Sequence, residues 1–332
     1  MAPSQPKKIL IIHSGGIGDL LLALPAIRIF RRTFPESTLE LMGRPERLSL
    51  IACDLQAKSI HSIDKAGMAY FFMEGEPLSS ALSTFFSSFG VILVFGGASG
   101  KPLIENLRKA GVGRVILTPS FPPEGLEVHV ADYLVESLRI SGIEGESSFT
   151  PLPLPEGALS LARDFLGNLG WREGDRLLAI HPGSGSPAKN WDAQNFARVG
   201  DWFSERSKVI LISGPARDGV EEVKRAMKKA RPFVADCLPL LHLAAVLKSS
   251  TAYLGNDSGI THLAASLGLP TVALFGPTNP SIWGPRGPGV RLICEKSSCS
   301  PCSPEARSEC SRQCLEEIER DRVLEILSPF CG

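Results

Sequence analysis

Apolar positions along the chain follow two spacings, and these predict strands and helices in alternation. Short runs in which every residue is apolar indicate buried strands, and longer stretches with apolar residues three or four positions apart indicate helices with one buried face. In the first half of the chain these patterns predict strands over 9–13, 38–42, 91–95 and 114–117, and helices over 20–34, 102–110 and 131–140. Alternating strands and helices are typical of a parallel sheet covered by helices on both faces.

A proline-rich segment, 148–155, separates this series from a second one of the same kind. Three of its last five residues are proline, which excludes a regular helix and indicates a linker. Beyond it the patterns predict helices over 158–169, 195–204, 220–230, 240–247 and 263–267, and strands over 177–181, 209–213, 252–254 and 271–275, the last of which ends the sheet.

The chain is therefore predicted to be an α/β protein with two Rossmann-like, doubly wound domains that face each other across a cleft. We expect an N-terminal domain over 1–150, a C-terminal domain over 151–314, and a final segment, 315–332, whose amphipathic helix packs back towards the N-terminal domain. A length of 332 residues agrees with two domains.

Charge and hydrophobicity narrow the class of protein. The formal net charge is zero at neutral pH, so no basic surface favours nucleic acid as a partner. The first apolar run, 9–13, is followed by Gly15 and Gly16 and is too short for a signal sequence or a membrane span. We expect a cytoplasmic protein without a transmembrane segment, whose contact with a membrane is at most peripheral.

The most informative segment is Asn-Asp-Ser-Gly-Ile-Thr-His at 256–262, between a predicted strand and a predicted helix. The first backbone N–H groups of a helix have no partner within the helix, and the helix dipole favours an anion there. Asp257, Ser258, Gly259 and His262 are therefore candidate residues for binding a phosphorylated ligand. An ordinary helix cap formed by Asp257 or Ser258 is the alternative.

A second candidate site follows the first strand, in the loop Ser-Gly-Gly-Ile-Gly-Asp at 14–19. Gly15, Gly16 and Gly18 place the Asp19 carboxylate at the start of the first helix, above the carboxyl end of the strand, where ligands bind in open α/β sheets. The helix dipole favours the ionised carboxylate, which can accept a proton from a hydroxyl group. The alternative is that Asp19 only caps the helix.

Two glycine patterns resemble nucleotide-binding motifs but lack required residues. The glycine loop after the first strand, with Glu40 about twenty residues on, imitates a dinucleotide fingerprint, but Leu21 stands where the third glycine belongs and Asp19 disfavours a pyrophosphate. NAD binding is therefore a minor alternative. The segment 96–101 resembles a P-loop, but it is one residue short and Pro102 replaces the required Ser or Thr.

The loop after the predicted strand 177–181 has the composition of a phosphate-binding segment. It runs His-Pro-Gly-Ser-Gly-Ser-Pro-Ala-Lys-Asn-Trp from 181 to 191. The hydroxyl groups of Ser184 and Ser186 can donate to phosphate oxygens, and Lys189 adds a positive charge. A lysine that is merely solvated is the alternative.

Eight cysteines raise the question of a metal site. Cys53 and Cys237 are isolated and are expected in the core. Near the C-terminus, Cys-x2-Cys followed by Cys-x3-Cys has the spacing of a four-thiolate structural zinc site, with Cys299, Cys302, Cys310 and Cys314 as its ligands. A loop that tolerates cysteine without binding metal is the favoured alternative.

Several motifs in one order resemble those of the ADP-heptose:lipopolysaccharide heptosyltransferases, glycosyltransferase family 9, which has the GT-B fold. They are Gly-Asp-Leu-Leu-Leu-Ala-Leu-Pro-Ala at 18–26, Pro-Gly with Lys-x-Trp and Phe-Ala within 182–197, Gly-Asn-Asp-Ser-Gly-Ile-Thr-His-Leu-Ala-Ala at 255–265, Leu-Phe-Gly-Pro-Thr at 274–278, and a cysteine-bearing tail at 301–318. The resemblance spans the chain from residue 9 to about residue 327.

The resemblance implies an inverting transfer of heptose from ADP-heptose to a lipopolysaccharide core saccharide, carried by a lipid at the inner membrane surface. It implies no cofactor or metal ion for catalysis, and a structural zinc ion is not favoured. The residues that match the family's site are Asp19 as general base, Lys189 with the Ser184–Ser186 loop at the diphosphate, and Asp257, Ser258, Gly259 and His262 at phosphate and sugar. The nucleoside end is inferred separately, with Asp218 or Glu221 expected at the ribose and residues near 236–240 at the adenine.

The acceptor side is less specific. Segments 44–75 and 118–129, which contain His61 and His129, are expected to line it. Two other functions stay open, because a fold does not fix a reaction. One is a sugar-nucleotide epimerase or hydrolase, which needs an acid/base group besides Asp19. The other is a nucleotide-binding protein without catalysis.

Overall fold

In a computed structural model, which describes residues 6–65, 68–74, 79–96, 100–214, 219–295, 302 and 313–331, the strands form two separate parallel sheets. The chain divides into one unit over Met1–Phe149 and another over Thr150–Gly332. The α/β class and the two doubly wound sheets are confirmed. None of the helices in the described ranges is both long enough and apolar enough to cross a membrane.

The first unit contains a five-stranded sheet in the order β3-β2-β1-β4-β5, with every neighbouring pair parallel. Its strands are β1 (Lys8–His13), β2 (Thr38–Gly43), β3 (Ser59–Ser62), β4 (Val91–Phe95) and β5 (Arg114–Thr118). Its helices are α1 (Ile17–Thr33), α2 (Pro45–Leu55), α3 (Met68–Phe71), α4 (Ser80–Ser87), α5 (Lys101–Lys109) and α6 (Val130–Ile140).

The second unit contains a six-stranded parallel sheet in the order β11-β10-β9-β6-β7-β8. Its strands are β6 (Leu177–His181), β7 (Lys208–Ser213), β8 (Phe233–Asp236), β9 (Ala252–Asn256), β10 (Thr271–Phe275) and β11 (Val290–Cys294). Its helices are α7 (Glu156–Asn168), α8 (Ala193–Ser204), α9 (Val220–Ala226), α10 (Leu240–Lys248), α11 (Gly259–Ser266), α12 (Pro280–Trp283), α13 (Gln313–Glu316) and α14 (Arg320–Leu327), with short 3₁₀ turns at Pro187–Lys189 and Ser328–Phe330.

The strand order determines where a ligand can enter each unit. In the first sheet the chain moves outward from β1 in one direction through β2 and in the other through β4, and in the second sheet it does so from β6 through β7 and β9. At such a switch point the helices that follow the two central strands lie on opposite faces, which leaves a crevice at the carboxyl ends of the strands. The β1/β4 and β6/β9 ends are therefore the places to look for a site.

Strand β11 shows that the expectation of a sheet ending at 271–275 is wrong. It pairs with β10 in parallel, from Thr271 opposite Val290 to Phe275 opposite Cys294. Because it is the edge of the sheet, Leu292 is 39% exposed. An edge strand of this kind lacks the continuous apolar run that identifies a buried parallel strand.

The C-terminal segment contributes apolar side chains to the core of the second unit. Val323 and Leu327 are fully buried in one cluster with Phe203 of α8. The expected single helix is divided into α13 and α14. The apolar stripe of α14 covers an apolar face of α8 that would otherwise be exposed, and this accounts for its position.

We expect Leu327→Ala to destabilise the second unit by about 2–5 kcal/mol, because a fully buried leucine leaves a cavity when it is truncated. The measurement is urea unfolding followed by tryptophan fluorescence. Leu161→Ala is the matched control, since Leu161 is 59% exposed on α7. Equal losses in the two variants would contradict the packing described for α14.

Candidate functional site

Asn256, the last residue of β9, connects the two central strand ends of the second sheet. Its side chain is fully buried. The side-chain oxygen accepts a hydrogen bond from the Trp191 backbone N–H at 3.0 Å, and the side-chain nitrogen donates to the Pro182 carbonyl at 2.6 Å. Both partners lie in the loop that follows β6. The buried amide therefore fixes the loop that carries Lys189 next to the end of β9.

Lys189 and Asp257 form a partly buried ion pair at this strand end. The Lys189 Nζ donates to Asp257 Oδ2 at 2.6 Å, and the side chains are 23% and 9% exposed. The Thr278 hydroxyl donates to the same oxygen at 2.6 Å. An ammonium group has three N–H donors, so the pairing with Asp257 leaves Lys189 able to bind an anion as well.

Helix α11 begins directly beside this pair. Ser258 is its N-cap, and the Ser258 hydroxyl accepts from the Thr261 N–H at 3.3 Å. The backbone N–H groups of Gly259 and Ile260 have no hydrogen-bond acceptor among the described residues. Two unpaired amides at a helix N-terminus favour an anion, and the anion site expected from the sequence at this turn stays a prediction.

A buried network of neutral groups lies beneath the start of α11. The Thr261 hydroxyl donates to the Asn256 carbonyl, so in its contact with the Tyr253 hydroxyl, at 3.0 Å, Tyr253 is the donor. Burial raises the pKa of Tyr253 and keeps the phenol protonated. The Ser258 hydroxyl lies 3.3 Å from His181 Nδ1, and burial lowers the pKa of His181 to about 4.

The remaining residues predicted in the second unit have different environments. Ser184 is engaged locally, since its hydroxyl donates to the Ser186 carbonyl at 2.7 Å and accepts from the Ser186 N–H at 3.2 Å. His262 is buried in the first turn of α11, at 6% exposure. Glu221 is exposed in the first turn of α9. Asp218 lies outside the described residues.

In the first unit, Asp19 is both a cap and an open carboxylate. Its Oδ2 accepts a hydrogen bond from the Gly16 N–H at 2.7 Å, which forms one side of a capping box at the start of α1. Among the described residues Oδ1 has no hydrogen-bond partner. Gly18 lies inside α1 and not in the loop where it was expected, because the cap at Gly16 starts the helix at Ile17. The cap and the base are therefore compatible roles for one side chain.

The loop before Asp19 is closely packed against the end of β1. A Cβ atom on Gly15 would lie 2.9 Å from the His13 ring and 3.0 Å from the Asp19 carboxylate, so only glycine fits there without a shift. The Arg47 guanidinium donates to the Gly15 carbonyl at 2.5 Å. Burial lowers the pKa of His13 to about 4; the Asp19 carboxylate opposes this shift and Arg47 adds to it. His13 is therefore neutral near pH 7.

Glu40, which belonged to the imitation of a dinucleotide fingerprint, and His61, which was expected on the acceptor side, bond to each other. Glu40 Oε2 lies 2.6 Å from His61 Nε2, and Oε1 accepts from Lys8 Nζ at 3.0 Å. Burial raises the pKa of Glu40, but the bonds from His61 and Lys8 outweigh it and the pKa is lowered overall. His129 caps α6 by accepting from the Ala131 N–H. These contacts give the side chains structural roles.

The cysteines are only partly described. Cys53 and Cys237 are exposed, so their expected place in the core is wrong. The positive φ of Cys237, 49°, belongs to a turn after β8. Cys302 and Cys314 are buried, whereas Cys299 and Cys310 lie outside the described residues. No group of three or more metal-binding side chains occurs among the residues that the structure describes, and the zinc site stays a prediction.

Two residues that organise the carboxyl ends of β9 and β10 had no role in the sequence interpretation. Asn256 begins the 256–262 segment, and Thr278 ends the 274–278 motif. The signal for Thr278 was its position just beyond β10, the strand beside β9, since adjacent parallel strands end at the same edge. Asn256 gave a weaker signal, because a polar residue at a strand end is common in turns.

Similar sequences are known over most of the length of this chain. A profile for Glycosyltransferase family 9 (heptosyltransferase) matches residues 122–315. Lipopolysaccharide heptosyltransferase 3 of Escherichia coli (strain K12) is 23% identical over 286 residues, which cover 81% of this chain and 82% of that protein.

Solved structures show the same architecture. The family 9 glycosyl transferase of Veillonella parvula DSM 2008 has a TM-score of 0.81 at 21% identity, over 99% of this chain and 98% of that one. The E. coli ADP-heptose lps heptosyltransferase II has a TM-score of 0.76 at 19% identity, over 98% of both chains. The protein is thus an α/β enzyme with the GT-B fold, a glycosyltransferase. Because the family profile covers more than half of its length, the chain belongs to glycosyltransferase family 9, the heptosyltransferases.

We expect acid to destabilise the second unit through His181. Its pKa is about 4 in the folded protein against 6.5 for the ordinary group, so unfolding takes up a proton between these values. The contribution of His181 to stability is complete above pH 6.5 and is lost as the pH falls through about 4, by about 3 kcal/mol.

Urea unfolding across this pH range measures the effect, because all four tryptophans lie in the second unit. A His181→Asn variant, which keeps a polar side chain but does not titrate, should show a smaller loss of unfolding free energy on acidification. An identical pH dependence in the two proteins would mean that other groups cause the loss.

Proposed function

We propose that the protein is an inverting glycosyltransferase that moves a heptose from ADP-heptose to a saccharide of the lipopolysaccharide core or a related acceptor. Membership of the heptosyltransferase family supports heptose as the transferred sugar. The name of the similar E. coli enzyme supports ADP-heptose as its donor. The observation on which the proposal chiefly rests is the Lys189–Asp257 pair beside the open N-terminus of α11.

A negatively charged donor diphosphate fits the positive groups at the N-terminus of α11. In the proposal, Lys189, the amides of Gly259 and Ile260, and the Ser184–Ser186 loop bind phosphate oxygens. These donors are fixed before the reaction, so they stabilise the charge that develops on ADP as the glycosidic bond breaks. The positive charge and amide donors meet the need of the leaving group, and the proposed reaction requires no metal ion.

Asp257 has a separate role in the proposal. Its carboxylate would repel the diphosphate unless the carboxylate charge were balanced by a cation, and Lys189 supplies that cation. Its Oδ2 is held by Lys189 and Thr278. The other oxygen, Oδ1, accepts no hydrogen bond from the described residues. We assign Oδ1 to a hydroxyl group of the donor sugar, and His262 to the same region of the donor.

The nucleoside end of the donor is assigned by topology. Strand β7 is the second strand of its unit, and in Rossmann-type folds an acidic residue after the second strand binds the ribose hydroxyl groups. Glu221 lies in the first turn of α9, which follows β7, and is exposed. Among the described residues, Glu221 is the candidate for binding the ribose. Asp218, which lies outside them, is the second candidate. Residues 236–240 are the candidate region for adenine.

Asp19 is the proposed general base. An acceptor hydroxyl has a high pKa and is a weak nucleophile, so a base must remove its proton as it attacks the anomeric carbon from the face opposite ADP. The Gly16 N–H holds Oδ2 at 2.7 Å and leaves Oδ1 for the acceptor. Because this bond orients the carboxylate, the same contact serves helix capping and catalysis.

Asp19→Asn is expected to lower kcat by about 10²–10⁴ and to leave donor affinity nearly unchanged, because the amide cannot accept the proton. Asparagine can still accept the Gly16 N–H, so the melting temperature should barely move. Steady-state kinetics with a verified donor and acceptor give the answer. If Asp19 only caps the helix, Asn retains the wild-type kcat and Ala costs about 1 kcal/mol of stability.

Lys189→Ala is expected to raise the donor KM by roughly tenfold to a hundredfold, with a smaller effect on kcat, because a charge-assisted contact to the diphosphate acts in both ground and transition states. Calorimetry with ADP alone should show the same loss of affinity, since the sugar is not needed for this contact.

The matched control for Lys189 is Lys229→Ala. Lys229 also pairs with a carboxylate, Glu205 at 2.5 Å, but on the exposed surface of the same unit. It should leave the ADP affinity unchanged. An unaltered donor KM in Lys189→Ala, in protein that unfolds normally, would remove Lys189 from the donor site.

The reaction itself is tested with a panel of nucleotide-sugar donors and saccharide acceptors, followed by mass measurement of the products. Transfer adds the mass of one heptose residue to the acceptor and releases ADP. A hydrolase releases free heptose without an acceptor, and an epimerase leaves the mass of the donor unchanged. Either of these results would replace glycosyl transfer as the function.

A further inference from the structure

Three large apolar side chains project from one short segment of the first unit. Tyr70 is 47% exposed, Phe72 39% and Met73 47%, and we call these three residues the apolar tip. The residues that anchor the segment are buried, Met68 at 1% and Phe71 at 0%, in the core cluster of that unit. The segment therefore has a fixed apolar base and an apolar surface in water.

A buried amide holds the backbone of the apolar tip. The Asn106 side chain, which is 2% exposed on α5, donates to the carbonyls of Tyr70, Phe71 and Met73 at 3.3, 3.1 and 2.9 Å. The Met73 N–H donates in turn to the Tyr70 carbonyl at 3.2 Å. Exposing large apolar side chains costs stability in a free monomer, and here the fold uses a buried polar residue to keep them in place.

The size of the apolar tip limits what it can bind. Three side chains exposed to this extent present about 300 Å², against about 800 Å² per partner in a stable protein interface. A second copy of the chain held by this surface alone would therefore dissociate. A few projecting aromatic and methionine side chains are instead enough for partial insertion into the boundary between lipid headgroups and acyl chains.

The charges around the apolar tip are mixed. Lys65 precedes it in the sequence and is exposed. Glu74 follows Met73 and is also exposed. One lysine and one glutamate offset each other, so apolar insertion, more than charge, must supply the attraction.

We propose that the apolar tip inserts into the surface of a phospholipid bilayer and holds the first unit at the membrane. The inference rests on the proposed function in one respect, because a lipid-linked acceptor makes the membrane surface the place of reaction. It concerns binding to lipid alone, however, and is measured without donor or acceptor.

The first test places a reporter in the apolar tip. Phe72→Trp protein is mixed with vesicles of phosphatidylethanolamine and phosphatidylglycerol in which part of the lipid carries brominated acyl chains. Quenching of the added tryptophan by the bromines is expected, over the background of the four native tryptophans, all of which lie in the second unit. Ile140→Trp is the matched control, since Ile140 is a single exposed apolar residue of the same unit at 78%. Equal quenching at the two positions, or none at residue 72, overturns the proposal.

The second test removes the apolar surface. The double variant Phe72→Ser, Met73→Ser should sediment with the same vesicles at least about tenfold more weakly than the wild type, because binding scales with the apolar area inserted. Sedimentation of the double variant equal to that of the wild type would overturn membrane insertion.

Two further outcomes separate this inference from others. Sedimentation equilibrium that shows a wild-type dimer and a monomeric double variant would assign the apolar tip to a second copy of the chain, against the proposal. Vesicle binding by a protein that transfers no sugar would support the apolar tip while the proposed function fails. Transfer to a soluble acceptor by a protein that does not bind vesicles would support the proposed function and overturn membrane insertion of the apolar tip.

Discussion

The side chain of Asn256 bonds two segments of the second unit at once, and the geometry of the candidate site at the end of β9 depends on it. One amide supplies an acceptor to the Trp191 N–H and a donor to the Pro182 carbonyl, both in the loop after β6. Because the amide is fully buried, losing either partner would leave a polar group without water, at a cost of about 1–3 kcal/mol. The loop that carries Lys189 is thus held at the end of β9, because a buried amide needs both of its hydrogen-bond partners.

The parallel sheets explain how single side chains can connect segments that are far apart in the sequence. Adjacent parallel strands end at the same edge, so residues far apart in the sequence meet there without a long connection. Lys189 follows β6, Asp257 follows β9 and Thr278 follows β10, and the three meet within hydrogen-bond distance. In the first unit, the same principle brings Gly15, Asp19 and Arg47 to the end of β1.

Much of the fold could be predicted from the sequence. The features that could not be predicted depend on position in the sheet or on partners in other elements, which the local sequence does not show. The buried strands and the strand-to-helix turn at 256–259 gave strong patterns, because a parallel strand covered on both faces must be apolar throughout. Edge strands such as β11 and the short β3 have no such requirement, and their signal is weak. The packing of α14 was not predictable, since an amphipathic stripe shows that a face is buried but not against which surface. Asn256 and Thr278 were not recognised because their roles come from partners on neighbouring strands, which the sequence alone does not identify.

Electrostatics at the end of β9 follows from which groups remain charged. Burial lowers the pKa of His181 and raises the pKa of Tyr253, and both side chains are neutral near pH 7. Lys189 and Asp257 are then the charged pair at the start of α11, and Asp257 is held by two donors on one oxygen. An unpaired buried carboxylate would oppose a diphosphate, whereas this pair, with the helix terminus, is close to neutral until an anion arrives. The strand end therefore carries no large uncompensated charge, because Lys189 balances the charge of Asp257, while the neutral Thr278 hydroxyl orients the same carboxylate oxygen.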